Sequence, residues 1–152
     1  MANPFRSDLS NGLGLLAARL PLGVAFVLSG VAKFRMPGGV SAYVTENLSS
    51  VPQYVPTHAA EKFLMVVPYA HLGLGILLLA GLLSRVSAFG AALLSVAFGL
   101  ILGFVDTNPT PSMDSITEPT KYLCFALVTF FAGPGMFSVD RLLFGKPDRS
   151  ID

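Results

Sequence analysis

The chain has 152 residues, of which 53% are hydrophobic and 12% charged, with a net charge of +1 and a mean hydropathy of +0.66. A soluble domain of this length carries about a quarter charged residues, so an integral membrane protein is the class that fits. The near-neutral charge, with no basic run and no basic–aromatic interleaving, argues against nucleic acid as a partner.

The first predicted element is a helix over about 10–34, capped by Ser7, Asp8 or Ser10 and stopped before Pro37-Gly38-Gly39. Its core, LGLLAARLPLGVAFVLSGVAKF, is apolar enough to enter a bilayer, and a kink at Pro21 is tolerable there. At 100° per residue, Arg19, Gly23, Phe26, Gly30 and Lys33 fall on one stripe, while Leu, Val, Ala and Phe fill the other faces. Such a stripe packs against protein and leaves the rest to lipid. The segment before it, MANPFRSDLSNG, lacks the pattern of a cleaved signal, so the helix is expected to stay in the mature protein.

An outer loop over 36–62 follows, long enough to suggest a functional or covering role. Within it, Val40 to Leu48 is expected to form a short interfacial helix that presents Val40, Tyr43, Val44 and Leu48 to the membrane. Pro52 and Pro56 break the stretch after it. The second membrane helix, 63–84, has about twenty apolar residues, the length of a hydrocarbon core. A turn at Ser84 and Arg85 leads into the third, 86–105, making the two antiparallel neighbours. On that third helix Ser87, Ala91, Ser95, Gly99 and Gly103 form a strip of small residues that admits another backbone. A polar loop from Asp106 leads to the fourth helix, 119–133, which starts at Pro119 and ends at Gly133-Pro134-Gly135. The tail, 138–152, reads as an interfacial segment through Leu142, Leu143 and Phe144. The expected fold is all-α, a single membrane domain of four transmembrane helices.

Two cationic tiers stand out. Arg19 and Lys33 lie fourteen positions apart on one helix face, and His71 and Arg85 share that spacing on the second helix. Fourteen residues rise about 21 Å. Antiparallel packing therefore puts Arg19 with Arg85 toward one side and Lys33 with His71 toward the other. Counter-charges for these tiers are Asp140 on the first side, and Asp106 and Glu118 on the second. Lys33, Arg85 and Lys121 also suit the simpler role of snorkelling anchors. Arg19 lies too far from a helix end for that, where a charge costs roughly 2.5–3.5 kcal/mol even on insertion scales. His71 is either a hydrogen-bonded core histidine or a proton-exchanging group. Tyr69 stands beside it, and with Tyr43 and Tyr122 also suits the interfacial aromatic belt.

The chemistry available is narrow. One cysteine, Cys124, gives no disulfide, no CxxC pair and no cysteine metal cluster. His58 lies in a polar loop away from His71, which argues against a bis-histidine haem. No nucleophile motif, phosphate loop or zinc pattern occurs, so neither haem nor metal is predicted. Proton-exchanging and ligand-orienting side chains among apolar helices suit a quinone, whose carbonyls accept from Lys, His or Arg and whose ring and tail fit an apolar groove.

Three blocks resemble the DoxX family of small four-helix membrane proteins. The first is Arg19, Gly23, Gly30 and Lys33; the second is Gly75, Leu78, Gly81 and Arg85; the third is Gly133, Pro134, Gly135, Ser138 and Asp140. The resemblance covers nearly the whole chain. It departs at His71, where the family often carries an acidic residue, and the 36–62 loop matches no family motif. The resemblance implies a subunit of a quinone-linked oxidoreductase or of another membrane redox assembly. On that reading Arg19 and Lys33 orient or stabilise the anionic reduced ring between membrane helices one and two. His71 exchanges its proton, Tyr69 supports His71, and Arg85 adds to binding. A non-catalytic structural or assembly subunit is the alternative, and a small anion transporter the third reading. Expected partners are the lipid bilayer and a protein of a membrane redox complex, or further copies of the chain.

Arg6, Arg85, Arg141, Lys146 and Arg149 fall on one side of the spans and Lys33, Arg35, Lys62 and Lys121 on the other, a modest bias that predicts both termini in the cytoplasm of a bacterial inner membrane. A reporter enzyme active only outside the cytoplasm, fused to either terminus, is expected to stay silent; activity would reverse the orientation.

Overall fold

The apolar runs fold into helices, and no strand occurs among the described residues. The computed structural model describes residues 4–49, 51–100, 113–133 and 138–139, with the side chains of 4–11 and 113–118 set aside. In chain order the helices are α1 (Pro4–Arg35), α2 (Gly39–Leu48), α3 (Thr57–Ala80), α4 (Ser84–Phe98) and α5 (Met113–Ala132).

Two of them are long and apolar enough to cross a membrane: Gly12–Arg35 within α1, and α3, each 24 residues with mean hydropathy 1.9 and 2.1. At about 1.5 Å per residue such a helix exceeds a hydrocarbon core of about 30 Å. Only 28% and 33% of these stretches are buried, unlike the core helix of a soluble protein. Their outward faces carry Leu20, Val24, Leu28, Met65, Val66 and Ile76. α4 and the Pro119–Ala132 part of α5 are shorter apolar helices.

α1 packs most extensively on α3, and α4 on α5. The first contact depends on glycine. A Cβ added at Gly75 would stand 2.7 Å from the Val27 backbone nitrogen and 3.0 Å from the Gly23 carbonyl oxygen. At Gly30 it would stand 3.0 Å from the Leu72 nitrogen. The two backbones therefore touch, as small residues allow. The second contact uses Ala88, Ala91 and Ala92, which share a core with Leu22, Phe26, Leu78 and Ala126. Hydroxyls on these faces bond within their own helices: Ser95 to the Ala91 carbonyl at 2.8 Å and Thr129 to the Phe125 carbonyl at 2.9 Å. That arrangement satisfies a buried hydroxyl without help from water.

The α3–α4 turn is closed by a Schellman arrangement. The Leu82 N–H donates to the Leu77 carbonyl at 3.0 Å and the Gly81 N–H to Leu78 at 3.2 Å. Gly81 takes the required left-handed conformation, at φ 66°.

Within 36–62 the expected short helix forms as α2, and the stretch expected to be loop after it contains the first turns of α3. The apolar face of α2 does not look to the membrane. Tyr43 and Val44 are buried with Leu64 and Val67 of α3. Leu64 and Val67, with Ala60 one turn upstream, form a buried apolar stripe at the start of α3, and α2 covers it. α5 begins at Met113, upstream of the expected start at Pro119.

Gly75→Val is expected to destabilise the detergent-solubilised protein by about 1–3 kcal/mol, read from its thermal or denaturant midpoint. Gly73→Ala, whose added Cβ meets nothing within 4 Å, should leave that midpoint in place.

Candidate functional site

The glycine contact brings α1 and α3 together in a register that sets Phe26, Ser29 and Lys33 of α1 facing His71 of α3 across one cavity of about 260 Å³. α4 supplies Leu94, Ser95 and Phe98 to the wall, and α5 supplies Pro119 and Tyr122.

Aromatic rings frame the histidine. Its imidazole lies 4.8 Å from the Phe26 ring, tilted by 33°, and 5.6 Å from Phe98 edge to face. Phe26 in turn meets Tyr122 edge to face at 5.8 Å. His71 Nδ1 is 3.0 Å from the Val67 carbonyl oxygen. A carbonyl only accepts, so Nδ1 carries the hydrogen, and in the neutral ring Nε2 remains as an acceptor. That bond fixes the orientation of the ring while leaving one nitrogen for other chemistry.

Lys33 sits one turn beyond Ser29 on α1. Its ammonium donates to the Ser29 hydroxyl at 2.5 Å and to the Ser29 carbonyl at 3.3 Å. It also lies 5.3 Å from the centroid of the Tyr43 ring, on α2. Among the described residues no carboxylate pairs with it. Tyr43 is 5% exposed, and its hydroxyl has no hydrogen-bond partner among the described residues. Burial pushes the Tyr43 phenol up to about 12, so it remains protonated at physiological pH.

The remaining candidates stand elsewhere. Arg19 is buried midway along α1, its guanidinium against Gly81 at the α3–α4 turn, with Ser138 beside the same glycine. Arg85 is exposed, with its guanidinium 3.2 Å from where a Cβ at Gly133 would be. These two cations thus anchor the end that holds the α3–α4 turn and the close of α5, and neither lines the cavity. Tyr69 is 61% exposed and packs edge to face on Phe34 at 5.0 Å, outside the cavity. Asp106 and Asp140 lie outside the described residues, as does the side chain of Glu118. Among the described residues no three metal-ligating side chains converge.

Sequence reasoning missed Ser29, Phe98 and Tyr43 as parts of this site. Ser29 was within reach of it, since a hydroxyl four residues before a lysine shares its helix face. Phe98 and Tyr43 come from other helices, and no local spacing points to them.

A family model described as DoxX matches residues 14–104, a stretch that contains every cavity residue of α1, α3 and α4. No curated protein and no solved structure matches the chain.

Proposed function

This chain belongs to the DoxX family of membrane proteins, often associated with quinone-linked oxidoreductases, and on that premise we propose that it binds a quinone or its reduced form between α1 and α3 as the membrane subunit of such a system. The observation that carries this reading is the convergence of Lys33 and His71 on one cavity walled by aromatic rings.

The residues present fit the group. A volume of about 260 Å³ lies just below the roughly 300–1,000 Å³ of pockets for drug-sized ligands, which suits a ring rather than a long tail. A quinone, when bound, supplies two-electron, two-proton redox chemistry. Lys33 offers ammonium hydrogens to a carbonyl or phenolate oxygen, a charge-assisted bond of the stronger kind. His71 holds or releases a proton at Nε2, since Nδ1–H is committed to Val67. Phe26 and Phe98 exclude water and offer apolar faces to a planar ring. Arg19 and Arg85 serve the opposite end of the bundle in this scheme, and Tyr69 the membrane interface.

In the same reading α1, α3, α4 and α5 are four spans and α2 covers one end of α3. Arg19 and Arg85 mark the cytoplasmic end, supported by the bias of positive charges toward that side of the bilayer. One cysteine gives no ligand set for an iron–sulfur cluster, and His58 and His71 stand about 20 Å apart along α3, too far to share one haem iron. In this reading a partner chain of a redox complex supplies the electrons.

Gently solubilised protein, extracted and analysed for isoprenoid quinone, is expected to hold it near one per chain. Lys33→Ala and His71→Ala should each weaken retention ten- to a hundredfold, the scale of a lost hydrogen bond to a charged group, while staying folded by gel filtration. A wild-type protein that carries a redox enzyme but no quinone would instead make this an assembly subunit.

A further inference from the structure

Lys33 lies in the last turn of α1, where a lysine ordinarily extends to the membrane interface. Here it is turned back. Its ammonium reaches down α1 to Ser29, and the other side of the charge is closed by the face of Tyr43. The chain reversal after α1 makes this possible: Gly38 and Gly39 take φ of 92° and 63°, and the Gly39 N–H donates to the Met36 carbonyl at 2.7 Å. α2 thereby returns over the end of α1 and seats Tyr43 against Leu64 and Val67 of α3.

The buried hydroxyl of Tyr43 makes no hydrogen bond among the described residues, so the hydroxyl is not what the position uses. A buried phenol of this kind costs stability that phenylalanine would not. What the position provides is an aromatic face within cation–π range of an ammonium.

We propose that Tyr43 is a positioning residue: its ring holds the Lys33 ammonium inside the bundle, beside Ser29 and on the cavity, and keeps it from extending to water. The proposal rests on the reading that Lys33 serves that cavity, but its test needs no ligand. The full-length solubilised protein is treated with a water-soluble amine-acylating ester, and the rate of modification at Lys33 is followed by peptide mass spectrometry. Tyr43→Leu removes the face and should raise that rate about fivefold. Tyr43→Phe keeps the face and should match the wild type. Val44→Ala thins the same α2–α3 contact without touching the ring and should also match it.

If Tyr43→Phe reacts as fast as Tyr43→Leu, or if Tyr43→Leu leaves the rate unchanged, the ring does not hold the lysine. If Val44→Ala reacts as fast as Tyr43→Leu, the effect is loosened packing of α2, and the proposal fails equally. Loss of the quinone reading would show separately, as a wild-type protein that extracts without quinone yet keeps Lys33 shielded.

Discussion

Everything at the proposed site depends on two backbones touching. In a bilayer, lipid tails are as apolar as the side chains, so helices associate through close van der Waals contact rather than through burial from water. Gly23 and Gly75 supply that contact, each leaving room for the other helix where a Cβ would collide. Because the helices are rigid on this scale, the crossing also fixes what lies one or two turns away. Phe26 follows Gly23 along α1 and His71 precedes Gly75 on α3, and their rings end 4.8 Å apart. The same register carries Lys33 to the mouth of the cavity that His71 lines. The glycines take no part in any chemistry, yet they position the groups that would.

The polar groups of the bundle show two ways of living among apolar helices. Hydroxyls turn inward on their own helices, as Ser95 and Thr129 do, and leave the packing surface dry. Charges are placed at the two ends. Arg19 lies against Gly81, whose left-handed conformation makes the turn and whose missing side chain makes room for the guanidinium. Lys33 is held at the other end by oxygen atoms of Ser29 and a ring face. The end with Arg19 has the character of a structural lock, while the end with Lys33 opens on a cavity. That asymmetry underlies the assignment of ligand chemistry to one end only.

The sequence shows the helices plainly because length, hydropathy and Gly–Pro punctuation are local properties. The pairing of Lys33 with His71 was also legible, since antiparallel helices with equal fourteen-residue spacing bring those positions level. The places of the tyrosines were legible only in part, since Tyr69 suited both the interfacial belt and the site. Tyr69, next but one to the histidine, turns outward because adjacent helical positions diverge by about 100° per residue. Tyr43 lies far from Lys33 along any helical stripe and reaches it only because the chain reverses at Gly38 and Gly39. The covered face of α2 and the early starts of α3 and α5 were missed for a related reason. Polar residues at a helix end, such as Glu61, look like loop until the apolar stripe beside them, Ala60 and Leu64, is seen to be buried.

The central claim is that Lys33 and His71 meet a quinone inside this cavity. Infrared difference spectroscopy tests it most directly, on purified protein carrying a quinone labelled with carbon-13 at one carbonyl. The account predicts a carbonyl stretch lowered by hydrogen bonding relative to the same quinone in lipid, returning toward the lipid value in Lys33→Met. Carbonyl bands in the wild-type protein that match those in lipid would contradict it.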